Sequence, residues 1–149
     1  MSRGWAVAAA GVAAAVTLGL AATAAGGSGG SGGADVLGPG SAEVELRIEH
    51  SRFSVDEITV VAGTEVTFDV VNDDPIHHEL IVGDAAVHAR HELGHEAQHL
   101  PVPGEVSVDP LATASTTYRF DEVGEVAFAC HLPGHVAFGM VGTVHVVPA

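Results

Sequence analysis

The 149-residue chain has one cysteine, no lysine, one tryptophan, one tyrosine and five phenylalanines. A single thiol excludes an internal disulfide, an iron–sulfur cluster held by four cysteines and a haem attached through C-x-x-C-H. The basic residues number 5, all arginine, against 19 acidic ones. With no basic stripe to meet phosphates, nucleic acid is excluded as a partner. A net charge of −14 favours solubility and would steer a basic partner toward the surface. Apolar residues make up 47% of the chain, but alanine and valine at the N-terminus inflate that share.

Arg3 precedes an apolar run from Trp5 to Leu20, and Ala22-Thr23-Ala24 fits an A-x-A cleavage site. Residues 1–25 therefore read as an export signal. Residues 5–25 carry no charge and are long enough to remain as an uncleaved membrane tether, although alanine and glycine make the run weakly hydrophobic. Either reading puts the remainder outside the cytoplasm, in periplasm, cell envelope or medium. Residues 26–40 begin with a Gly/Ser run, Gly26 to Gly33, and read as a flexible linker. Residues 41–149 then form one domain of common size.

That domain reads as all-β. Glu43–Ile48 and Glu65–Val71 alternate apolar and polar residues with period two, as half-buried strands do. Ile58–Val61, Glu79–Val82, Thr116–Phe120, Val126–Cys130 and Gly142–Val147 add further short strands. Ala62-Gly63-Thr64, Asn72-Asp73-Asp74-Pro75 and Asp121–Gly124 are turns by composition. About seven such strands with turn signals between them predict a β-sandwich. The exception is Asp84 to Leu100, which is polar, histidine-rich and nearly free of β-branched residues. It predicts a helical or irregular insertion near residues 84–100, ended by Pro101 and Pro103.

The lone thiol lies in the run Phe128-Ala129-Cys130-His131-Leu132-Pro133-Gly134-His135-Val136-Ala137-Phe138-Gly139-Met140. About fifty residues upstream stands His77-His78-Glu79. One thiolate, two imidazoles and one thioether are the ligand set of a type 1 copper centre. Copper alternates between a soft monovalent and a harder divalent ion, and a trigonal His2Cys plane with a weak axial methionine suits both. Pro133-Gly134 would bend the loop so that Cys130, His135 and Met140 reach one point. His78 is preferred to His77 on strand alternation, because Leu80 and Val82 then share its inward face while His77 points to solvent with Glu79. His131 falls on the opposite face from Cys130. Taken singly, Cys130 would be an inert buried thiol, His135 a surface residue and Met140 core filler. Taken together at these spacings, they read as ligands to one copper ion.

The pattern Phe-x-Cys-x4-His-x4-Met-x-Gly, from Phe128 to Gly142, resembles the copper-binding loop of the cupredoxins. Its spacings resemble those of the rusticyanin-like and sulfocyanin-like members rather than plastocyanin. The region Asn72…His78-Glu79 is similar to the first-ligand region of small bacterial plastocyanin/azurin-type domains. The resemblance covers most of residues 43–147. It implies a Greek-key β-sandwich, copper ligation by His78, Cys130, His135 and Met140, and the shuttling of single electrons outside the cytoplasm. It implies a redox protein as partner, such as a cytochrome or an oxidase. One departure is Glu79, where many members carry asparagine to brace the ligand loops.

Within the insertion, His88, His91, His95 and His99 recur at helical spacing. His91–His95 and His95–His99 both match H-E-x-x-H, but Gly94 weakens a helix there and no second lobe exists to form a protease cleft. The stripe reads either as a solvated face or as a second, weak copper or zinc site at His91, His95 and His99. Enzymatic copper chemistry is disfavoured, since oxidases and nitrite reductases need further copper centres and usually a second domain. The expected function is extracytoplasmic single-electron transfer. The alternative is a copper-binding protein for tolerance or delivery, with the histidine-rich segment as an extra metal site.

Overall fold

A computed structural model of the chain describes residues 35–93 and 100–149. The proposed export segment, most of the linker, and Gly94 to His99 lie outside the described residues. No helix among the described residues is long and apolar enough to cross a membrane.

The elements in chain order are β1 (Val36–Leu37), β2 (Ser41–Ile48), β3 (Glu57–Val61), β4 (Thr64–Asn72), β5 (His78–Gly83), α1 (Ala85–Glu92), β6 (Glu105–Val108), β7 (Thr113–Phe120), β8 (Gly124–Ala129) and β9 (Val141–Val147). They form a six-stranded sheet ordered β1-β3-β9-β8-β5-β6 and a three-stranded sheet ordered β2-β4-β7. The chain passes repeatedly from one sheet to the other, so β2 and β4 pair in parallel, as do β3 and β9. This is the expected all-β Greek-key sandwich.

The alternating strands place their apolar residues between the sheets. Leu46, Ile48, Val66, Phe68, Val70 and Phe120 face Val60, Leu80, Val82, Val106, Phe128 and Val144, all buried in one cluster. Burial of each such side chain contributes about 1.5–3 kcal/mol, offset by the entropy of ordering the strands. Phe68 and Phe120 meet edge-on at 6.4 Å, and Phe53 meets Phe128 likewise at 5.4 Å.

Two boundaries differ from the sequence reading. Residues 26–40 were expected to be linker throughout, yet Val36–Leu37 pairs with β3 and Leu37 packs on the core. Two apolar residues suffice for this because β3 offers an otherwise open edge. Glu105–Val108 is a strand that the expectation lacked, although Val106 and Val108 alternate inward with period two. The insertion is helical over Ala85–Glu92. Asp84 caps it by accepting hydrogen bonds from the backbone N–H groups of Ala86 and Val87, both at 2.9 Å.

Strands β5 and β8 are neighbours in the large sheet and run antiparallel, with Ile81 opposite Ala129. The first residue of β5, His78, and the residue just after β8, Cys130, therefore lie at the same end of that sheet.

Candidate metal centre

The structure brings His78 together with two side chains of the loop about fifty residues further along, Cys130 and His135. Ligand atoms of His78, Cys130 and His135 all lie within 4.8 Å of one another, the one such group of three among the described His, Cys, Asp and Glu residues. The Cys130 sulfur is 3.2 Å from Nδ1 of His135 and 4.0 Å from Nδ1 of His78. The His78 and His135 rings lie 4.9 Å apart. Cys130 and Met140 are fully buried, His78 nearly so, and His135 is half-buried.

The loop that carries them is held by its own backbone. The His135 N–H donates to the Leu132 carbonyl at 3.0 Å, across Pro133 and Gly134. Gly134 takes φ of 89°, so the four residues form the type II turn that Pro-Gly favours. Cys130 and Met140 close the loop, the Cys130 N–H donating to the Met140 carbonyl at 3.1 Å and the Met140 N–H to the His135 carbonyl at 3.0 Å. The motif's last glycine also has a physical reason. Gly142 pairs with Phe128 across β8 and β9, and a Cβ there would stand 2.1 Å from the Phe128 ring.

His78 is oriented by a residue that the sequence reading placed only in a turn. Its Nε2 is 3.0 Å from Oδ2 of Asp74, so Nε2 carries the proton and Nδ1 presents its lone pair toward Cys130. Asp74 is itself fixed, accepting from the N–H groups of His50 at 2.8 Å and Ser51 at 2.7 Å. His50 and Ser51 have φ of 55° and 54° and form the tight turn between Ile48 and Phe53. Such conformations are costly for residues with a Cβ, and the bonds to Asp74 offset the cost. Asn72 donates to the carbonyls of Ile76 and Asp109 and accepts from the Asp74 N–H at 3.0 Å. A sequence cue existed, since an aspartate four residues before a candidate ligand is within reach of it.

The electrostatics suit a cation. Burial pushes the Cys130 thiol up to about 11, while backbone N–H groups of Leu132 and Glu79 at the sulfur pull the other way. Burial holds the imidazoles of His78 and His135 below their ordinary value, so both are neutral donors at neutral pH. Burial opposes ionisation of Asp74, but its bonds from Ser51, His50 and His78 outweigh this and keep the carboxyl below its usual range. One soft thiolate donor and two neutral imidazoles fit copper or zinc, and Met140, buried in the same cluster as Cys130, offers a thioether that favours copper.

Glu79 departs from its expected place. It is buried and not directed to solvent, because α1 covers that face of β5, with Val87 against Gly83. Its Oε1 accepts the backbone N–H of His131 at 2.7 Å, so a carboxylate links β5 to the ligand loop. His77 is half-exposed and pairs with Asp109 at 3.1 Å.

The possible second, weak site at His91, His95 and His99 is not described as a unit, since His95 and His99 lie outside the described residues. His91 is buried, not solvated, and its Nε2 meets Oε2 of Glu105 at 2.9 Å. Glu105 also pairs with Arg90. Burial opposes ionisation of this carboxyl, but the bonds from His91 and Arg90 prevail and hold it below the usual range.

Comparison with known proteins places the centre in context. The model of the copper-binding proteins of the plastocyanin/azurin family matches residues 41–147. A copper-resistant cuproprotein CopI of Pseudomonas aeruginosa PAO1 is 29% identical over 140 residues, covering 72% of this chain and 77% of its own. The protein of the same name from Rubrivivax gelatinosus is 36% identical over 96 residues, covering 62% of this chain and 58% of its own, so that match spans under two thirds of the relative. Auracyanin A, a blue copper protein of Chloroflexus aurantiacus, shares the fold with a TM-score of 0.57 at 24% identity, covering 72% of this chain and 99% of its own. The matched span takes in both sheets and the buried His–Cys–His group, and on that ground the chain belongs to the plastocyanin/azurin family of copper-binding proteins.

Proposed function

We propose that the protein binds one copper ion through His78, Cys130, His135 and Met140 and serves copper tolerance outside the cytoplasm. The observation that carries the reading is the buried thiol with two neutral imidazoles, in a chain whose relatives are named copper-resistant cuproproteins. Bound copper would supply one-electron chemistry and tight sequestration by sulfur. The chain's own part is to bury the sulfur, hold the His78 tautomer through Asp74, and keep the loop closed between Cys130 and Met140. The export reading of residues 1–25 supports action in the periplasm, envelope or medium. The role needs no catalysis, and a single thiolate centre in one domain supports a non-enzymatic reading.

The test is complementation. The full chain, produced in a copper-sensitive bacterium, should restore growth at elevated copper, and Cys130→Ser should not. Equal growth with the Cys130→Ser chain at matched protein levels would overturn the reading.

Electron transfer is the second reading, favoured by the ligand loop's surface. His135 lies beside exposed Pro133, Val136 and Phe138, the last 72% exposed, and such an apolar patch suits docking of a redox protein such as a cytochrome. Fast, reversible exchange with a basic cytochrome, slowed by Phe138→Ser, would favour it. No exchange would leave tolerance as the sole role.

A further inference from the structure

Cys130 is followed by a histidine that the primary centre does not use. The His131 side chain turns to the opposite side of the sheet, where α1 lies. There Nε2 of His131 stands 2.8 Å from Nδ1 of His88, with the two rings 5.1 Å apart. His91, one helical turn beyond His88, brings a third ring to 6.0 Å from His131 and nearly parallel to it.

The partners of these rings set which nitrogens can ligate. Nε2 of His88 lies 3.2 Å from the Ala127 carbonyl, which can only accept, so Nε2 carries the proton and Nδ1 is the bare nitrogen. The contact with His131 is then a hydrogen bond donated by His131 to His88. To ligate, His131 need only carry its proton on Nδ1 instead, with no charge change. His91 is held through Nε2 by Glu105, the carboxylate–imidazole pairing that orients metal-binding histidines and raises their basicity. Close approach of donor atoms is also what the primary centre displays, with the Cys130 sulfur 3.2 Å from the His135 nitrogen.

We propose a second metal site, for a divalent ion that prefers imidazole and above all for Cu2+, formed by His88 and His131 and completed by His91. An all-nitrogen donor set suits cupric ion, which binds such sites more tightly than the other first-row divalent metals. The three rings do not yet converge as the primary group does, so His91 must turn and the site is the weaker of the two. It differs from a site at His91, His95 and His99 by resting on α1 and on the residue joined directly to Cys130. It also stands apart from the proposed role in tolerance, since it uses none of the primary ligands.

The test uses the full-length apo protein, dialysed against buffered Cu2+ of rising free concentration, with bound metal measured by mass spectrometry and its class by EPR. Two ions per chain are expected, one with the small parallel hyperfine splitting of thiolate-bound copper. The other should show ordinary wide splitting with nitrogen superhyperfine lines. His88→Gln and His131→Gln should each weaken the second ion by about tenfold or more. His88→Gln should leave the thiolate signal unchanged, and a His95→Gln/His99→Gln double variant should keep both ions. The inference is overturned if the second ion is absent at saturating copper. It is equally overturned if that ion binds as before in both single variants, or is lost in the His95/His99 pair. Absence of the thiolate signal in the native chain would instead sink the primary assignment, and the nitrogen-ligated signal would still report on the second site.

Discussion

At the scale of single residues, the centre is governed by protons. The Cys130 thiol is held up to about 11 by burial, so it is protonated in the metal-free protein at neutral pH. His78 and His135, held low by burial, are neutral there and each presents a bare ring nitrogen. If copper takes the thiolate as proposed, binding should release about one proton, and affinity should rise about tenfold per pH unit between pH 7 and 8. Calorimetry in buffers of different ionisation enthalpy measures that proton. A release near zero would mean that the sulfur is not a ligand. Asp74→Asn should keep the fold but loosen the His78 ring, lowering copper affinity by about 10–100-fold. Competition with a chelator reads this directly, and unchanged affinity would remove Asp74 from the orienting role. Asp74 also shows what single-residue reading misses. Asn72-Asp73-Asp74-Pro75 is plainly a turn in the sequence, but the bonds of Asp74 to His50 and Ser51 are contacts between segments more than twenty residues apart.

At the scale of elements, β8, the loop and β9 act as one unit. The tip of the Phe128 ring lies against Gly142, and Phe128 packs in the same cluster as Cys130 and Met140. Gly142→Ala should push the ring aside and destabilise the domain by about 1–3 kcal/mol, seen as a lower denaturation midpoint. Stability equal to the native chain would mean that the ring has room to move. This unit was legible in sequence, because its ligands are local and their spacing is set by a turn that Pro133-Gly134 announces. The strands β2 and β4 were legible through their period of two. Strand β5 was legible only in part. Alternation assigns His78 inward correctly, but it also sends Glu79 outward to water, and α1 covers that face. The strand β1 was hidden because Val36–Leu37 is too short for any period to show, and it exists only by pairing with β3.

At the scale of the whole molecule, the ligands tie together parts of the chain that fold apart in sequence. Copper bound to the native state alone stabilises it by about 2.7 kcal/mol at a hundredfold excess over the dissociation constant. Added copper should therefore raise the melting temperature of the native chain well above that of Cys130→Ser, which keeps only the weaker second site. An equal rise in both would place the stabilising ion elsewhere. The acidic surface, with a net charge of −14, would speed encounter with basic partners at low salt.

The turn at His50 and Ser51 has a wider consequence. It is an exposed corner in an unfavourable backbone conformation, and the Asp74 carboxylate links it to the buried imidazole. Fraying of this corner, far cheaper than melting the sandwich, would free His78 to swing. The residence time of a bound ion would then be set at this edge of the sandwich, and release of the ion would report the corner's opening long before the strands separate.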